Sequence, residues 1–122
     1  VMGLNRAALA EGLVFSNKLG LDPIVTKQLF LQTFAYSKIM DLKIDRMIRE
    51  HFKPGGMLKQ HLKDVKLILE YGKKTEQKLP LSKVHEKILE RGIEAGDGEL
   101  DNSSLVKEFR RNRLDVEVKK KK

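Results

Sequence analysis

The pattern that most restricts this chain lies between Leu58 and Leu69. Leu58, His61, Leu62, Val65, Ile68 and Leu69 follow the i, i+3, i+4, i+7 spacing, with Lys59, Lys63, Lys66 and Glu70 on other faces. That period belongs to an amphipathic α-helix. No stretch of useful length alternates apolar and polar residues with period two, so no sheet is expected. Glycine and proline cut the rest into further helical segments. A first one runs from Met2 to Leu19 and stops at Gly20, a residue suited to a left-handed end. Asp22 is placed to cap a second helix, with Pro23 at its first position, reaching about Phe34. Ser37 is the expected cap of a third, through Met40, Ile44, Met47 and Ile48, which Phe52-Lys53-Pro54-Gly55-Gly56 breaks. Leu79-Pro80-Leu81-Ser82 starts a fifth helix with a stripe at Leu81, Val84, His85, Ile88 and Leu89, closed by Gly92 and Gly96. Asn102 and Ser103 or Ser104 cap a last short one through Leu105, Val106 and Phe109. The reading is an all-α fold: one helical domain of about six helices.

With 122 residues there is enough chain for one compact domain and too little for two. A 40% hydrophobic and 34% charged composition fits a soluble helical domain. With no Trp and only seven aromatics, the core must be aliphatic. Cysteine is absent, which excludes disulfides and thiolate metal sites. No apolar run reaches membrane-spanning length and no signal-peptide pattern is found. The opening Val-Met-Gly-Leu-Asn reads as the inside of a helix, so the expectation is a piece of a longer chain. In that first helix Met2, Leu4, Ala7, Ala8, Leu9, Ala10, Leu13, Val14 and Phe15 go nearly round the axis, as in a helix buried on most sides.

The formal charge of +8 is uneven. Residues 107–122 hold eight basic against three acidic side chains, and residues 1–106 carry only +3. The domain is therefore expected over 1–106, with 107–122 a basic, partly disordered tail ending in Lys119 to Lys122. A tail of this kind is either solvated or a phosphate contact without sequence preference.

The order of the motifs resembles the C-terminal domain of the β-hydroxyacid dehydrogenases, the family of 3-hydroxyisobutyrate dehydrogenase and tartronate semialdehyde reductase. Four stretches carry the likeness: Ala10-Glu11-Gly12-Leu13 followed by Lys18-Leu19-Gly20-Leu21-Asp22; Phe52-Lys53-Pro54-Gly55 followed by Leu58 and Leu62-Lys63-Asp64-Val65; Leu79-Pro80-Leu81; and Gly96, Asp101 and Ser103. The Leu-Lys-Asp-Val element is the most specific of them. Two departures stand out. Gly56 occupies the place where the family usually has a Phe near the nicotinamide. The family's catalytic Lys and companion Asn residues belong to a K-x-x-N-N-like segment expected just upstream of Val1, so no residue here is assigned a catalytic role. Asn5 falls after that motif.

The resemblance implies a cytoplasmic NAD- or NADP-dependent enzyme acting on a small 3-hydroxy acid, with the cofactor held mainly by a Rossmann domain. This chain has no G-x-G-x-x-G loop of its own. The resemblance further implies a homodimer through the first helix, and it points Lys63 into the interdomain cleft toward the cofactor. Asp64 would orient Lys63, and Phe52, Pro54 and Gly55 would form a loop by the nicotinamide. Each has a plainer explanation: a solvated helix lysine, an exposed carboxylate, a turn with Phe52 plugging the core. Lys59 adds positive potential one turn before Lys63. His51, His61 and His85 lack metal-ligand spacing and read as satisfied core or edge histidines. No metal is expected, nor any membrane partner. A competing reading is a helical nucleic-acid or protein-binding module using Lys59, Lys63, Lys66 and the basic tail.

Overall fold

A computed structural model describes residues 1–113. Its helices are α1 (Met2–Lys18), α2 (Pro23–Gln32), α3 (Met40–Arg49), α4 (Leu58–Lys74), α5 (Pro80–Glu94) and α6 (Leu105–Arg111), with a 3₁₀ turn at Asn102–Ser104 before α6. Among the described residues there is no strand, only an isolated antiparallel bridge between Met57 and Asp101. No described helix is long and apolar enough to cross a membrane.

The stops act as their chemistry requires. Gly20 takes φ +87°, a left-handed conformation that L side chains resist. Asp22 then accepts a hydrogen bond from the Ile24 N–H at 2.7 Å, with Pro23 at the first helical position. Other boundaries move. α2 ends at Gln32 rather than Phe34, because Thr33 leaves the helix in an extended conformation. Ser37 does not cap α3: Ile39 occupies that position and the Ser37 hydroxyl has no partner. Gly92 lies inside α5, where a Cβ would meet a Leu58 methyl at 2.9 Å, so it permits close packing of α4 instead of ending the helix. The capping role given to Asn102 and the serines belongs to Asp101, whose side chain accepts from the Ser103 N–H.

Leu9, Ala10, Met47, Leu58, Leu89, Leu105 and Val106 form the centre of the aliphatic core, all essentially inaccessible. Each leucine buried there contributes about 2 kcal/mol. α4 and α5 pack side by side, and α1 runs against α3, α5 and α6. α1 buries Arg6, Ala7, Leu9, Ala10, Leu13 and Ser16, and leaves Met2 and Phe15 exposed. Exposed Leu19, Ile24, Val25 and Leu29 continue an apolar surface from α1 onto α2.

The 106/107 boundary falls within α6. Lys107 pairs with Asp97 at 3.1 Å, Arg110 with Glu50 at 3.1 Å, and Arg111 with both Asp97 and Glu108. Arg113 reaches Glu108 at 2.7 Å. The start of the presumed tail is thus helical and clamped to the domain. The expectation for Lys119 to Lys122 lies outside the described residues.

Candidate functional site

Proline and glycine in Lys53-Pro54-Gly55-Gly56 end one helix direction and start another, leaving a short loop between α3 and α4. Pro54 and Gly55 are exposed, and Phe52 is half-buried against the core. The loop is anchored from behind by Asp101, which is fully buried. Its Oδ1 accepts from the Gly55 N–H at 2.9 Å and the Gly56 N–H at 3.3 Å. Lys43 donates to both carboxylate oxygens at 3.0 and 3.1 Å, and Ser103 donates its N–H and hydroxyl to Oδ2. Arg46 stands 3.8 Å away and donates to the Lys53 carbonyl. Burial pushes the Asp101 carboxyl up. The Ser103 hydroxyl and N–H, the Gly55 N–H and Lys43 outweigh it and hold the group well below the usual carboxylate range. The Asp101 N–H also donates to the Phe52 carbonyl, and the Asn102 N–H to that of Gly56. Backbone and side chain therefore fix the loop together.

α4 begins at the edge of this loop. Lys63 and Asp64 are exposed on it, and neither forms a side-chain hydrogen bond or ion pair with any described residue. Lys63 lies about 7 Å along the axis from Leu58. Lys59 is drawn to Glu99 at 3.2 Å, and Lys66 to Glu86 and Glu90 on α5. Two of the three lysines of the expected basic face are thus engaged by carboxylates.

The structure also gathers a cluster that the spacing did not reveal. His61 from α4 and His85 from α5 meet with ring centroids 5.0 Å apart and ring planes tilted by 56°, over Gly3 of α1. A Cβ on Gly3 would lie 2.6 Å from His61 Nε2, so only glycine lets the rings approach. Neither Nε2 has a partner, contrary to the expectation of satisfied histidines. The shared face of the two stripes was visible in the sequence; the crossing at Gly3 that brings them together was not. Burial first, then the neighbouring Arg6 charge, lowers both imidazoles to about 4. Arg6, one turn after Gly3, is 2% exposed, and its Nε and Nη1 find no acceptor. Burial lowers its pKa and nearby Asp101 partly restores it. His51 is exposed at the end of α3.

Chemically, the loop and the first turns of α4 offer exposed backbone without bulky side chains, one unengaged ammonium and one unengaged carboxylate. Such a set can line a cofactor on one side, with Lys63 placed for a carboxamide, hydroxyl or phosphate oxygen. Among the described residues it contains no phosphate-cradling glycine loop.

Comparisons with known proteins identify the family of the domain. Residues 1–109 match the family described as NAD-binding of NADP-dependent 3-hydroxyisobutyrate dehydrogenase. The chain is 33% identical over 106 residues to 2-hydroxy-3-oxopropionate reductase of Escherichia coli (strain K12), covering 87% of this chain and 36% of that protein. It is 35% identical over 109 residues to 2-(hydroxymethyl)glutarate dehydrogenase of Eubacterium barkeri, covering 88% and 36%. The crystal structure of 3-hydroxyisobutyrate dehydrogenase from Salmonella typhimurium superposes with a TM-score of 0.83 at 21% identity, over 87% of this chain and 37% of that one. The last likeness concerns the fold. The chain spans about a third of the length of these relatives.

Proposed function

The chain belongs to the 3-hydroxyisobutyrate dehydrogenase family as its helical NAD-binding domain, and on that premise we propose that it forms one wall of a cleft shared with a Rossmann domain. In that cleft a bound nicotinamide, NAD or NADP, would exchange hydride with a small 3-hydroxy acid or its semialdehyde. The observation that carries this reading is the Phe52–Gly56 loop. Asp101 holds it rigid at the head of α4, whose exposed Lys63 and Asp64 have no partner among the described residues. Lys63 would donate to a cofactor oxygen and Asp64 would orient it. Phe52, Pro54 and Gly55 would line the nicotinamide side. Gly56, with no side chain, leaves room there for a cofactor or substrate group.

None of the lysines in these 122 residues is assigned the proton-transferring role, and the choice between NAD and NADP is assigned to the Rossmann domain. The 122-residue chain is then inactive alone. The exposed apolar surface of Phe15, Leu19, Ile24, Val25 and Leu29 supports a homodimer through α1 together with α2.

Two measurements test the proposal. Mixed with NADH or NADPH and a small semialdehyde acid, the chain should show no turnover; measurable oxidation of the cofactor sinks the assignment of the lysine elsewhere. Titration with NADP⁺ or NAD⁺ should shift the amide signals of Gly55, Gly56, Lys63 and Asp64. Lys63→Gln should weaken that response about tenfold, as expected for losing a charged hydrogen bond. Shifts confined to other surfaces would reject the placement of the cofactor.

A further inference from the structure

We propose that the partly open cavity framed by α1, α2, α3 and α6 is a binding site for a small amphipathic carboxylate, one acidic group on a short apolar body. None of its lining residues belongs to the Phe52–Gly56 loop or to α4, so the inference goes beyond the cleft reading and does not depend on it.

The cavity holds about 270 Å³. Folded interiors leave few voids larger than a water molecule, so an opening of this size between four helices of a small domain needs a reason. Its inner wall is apolar. Leu13 of α1 belongs to the buried core, and Val14 and Ile48 pack against that core. Thr26 of α2, only 2% exposed, adds a hydroxyl group to the lining. The exposed rim includes Asn17 and Lys18 in the last turn of α1 and Arg110 of α6. An apolar wall with a few polar groups converging on its mouth is the usual build of a small-molecule site. The volume lies just under the common range of about 300–1000 Å³, which restricts the ligand to a short one.

Charge selects the class of ligand. Lys18 and Arg110 both line the cavity, and none of the lining residues is acidic. Two cations on one rim repel, and an anion between them relieves that cost. Arg110 is held in place by two contacts: it donates to the Met47 carbonyl at 2.9 Å and to Glu50 at 3.1 Å. A guanidinium has five donors in a planar fork, enough to serve these two acceptors and a ligand carboxylate together. Asp22, between the lining residues Leu21 and Pro23, is turned to the Ile24 N–H at 2.7 Å and caps α2. The wall of Leu13, Val14 and Ile48 then decides between kinds of anion. It gives a bare inorganic ion nothing to bury, and it removes a hydrocarbon body from water.

The probe is hexanoate, with hexanamide as its neutral isostere and acetate as the acid without the body. Each is titrated into the full 122-residue chain and read by the methyl signals of Val14, Thr26 and Ile48. Hexanoate should bind saturably, and about tenfold more tightly than either comparator, as expected for one charged hydrogen bond or a few buried methylenes. Lys18→Gln and Arg110→Gln should each weaken hexanoate about threefold or more and leave hexanamide unchanged. Glu50→Gln removes the acceptor that competes for Arg110 and should tighten hexanoate. Val14→Phe fills the cavity and should abolish the response in a chain that still melts cooperatively. Equal affinities for hexanoate and hexanamide overturn the proposal. So do lysine and arginine variants that bind hexanoate like the wild type, or a folded Val14→Phe that still binds it. Absence of saturable shifts at the three methyls overturns it as well, and marks the cavity as a hydrated groove.

Discussion

Two polar clusters share the interior of this small domain, and they are built on opposite terms. Around Asp101 every oxygen is used: Lys43, Ser103, Gly55 and Gly56 converge on one buried carboxylate. Around Gly3 the buried nitrogens Nε and Nη1 of Arg6 and Nε2 of His61 and His85 have no partner among the described residues. The first cluster is a device for position, because it ties three distant segments to one point. The second stores unfavourable energy, because burying a polar group without a partner costs free energy that the rest of the core must offset. A domain with only a modest core can carry the second because the first is complete.

The sharpest way to break this contrast is Asp101→Asn. It removes the charge that Lys43 and Arg46 face and should cost about 4 kcal/mol of unfolding free energy in a denaturant titration. A loss below about 1 kcal/mol would show that the saturated cluster does not hold the domain together. Next comes acid. His61 and His85 titrate at about 4 in the folded chain and near 6.5 when unfolded. The unfolded chain therefore binds more protons between those values. The stability from keeping both rings neutral is complete above about pH 6.5 and falls as the pH drops toward 4. It should amount to several kcal/mol for the pair, with about 7 kcal/mol as the upper bound before solvent screening of the partly exposed rings. The double variant His61→Leu, His85→Leu should flatten this part of the stability curve. A curve of unchanged shape would place the titration elsewhere.

Gly3→Ala tests the crossing itself. The added methyl would lie 2.6 Å from His61 Nε2, so the ring must shift. The overpacking outweighs the better helix propensity of alanine, for a net loss of about 1 kcal/mol. A gain in melting temperature would mean that the rings yield freely. The smallest effect sets the baseline. Lys27→Ala removes a 2.7 Å ion pair with the exposed Asp45 on the surface, worth about 0.5 kcal/mol or less.

Much of this architecture was legible in the residues. The stop at Gly20 and the Asp22-Pro23 start reappear where local chemistry put them, and so does the stripe from Leu58 to Leu69 except for Ile68, which is exposed. Errors arose where a distant segment decided the outcome. Gly92 looks like punctuation until Leu58 packs on it. Residues 107–111 look like a basic tail until Asp97 and Glu50 are folded against them. Lys63, Asp64 and the Phe52–Gly55 loop were read from a motif, and the structure lays them along one end of α4. Asp101 appeared in the sequence only as one member of the separate Gly96, Asp101 and Ser103 stretch. Its role as anchor depends on contacts across 46 and 58 residues, which no local pattern encodes. Arg6 gave no warning: nothing in the local pattern of α1 marks it as buried.

The separation between Asp101 and the loop it anchors has a consequence for how the domain is made. A chain emerging from its N-terminus completes α3, the loop and α4 well before residue 101 appears. Until then Gly55, Gly56 and Lys43 lack their common acceptor, and the proposed cofactor wall has no fixed shape. The wall closes only when the 3₁₀ turn at Asn102–Ser104 docks and α6 follows. A chain interrupted before residue 101 would hold four or five of its helices and none of its cleft geometry.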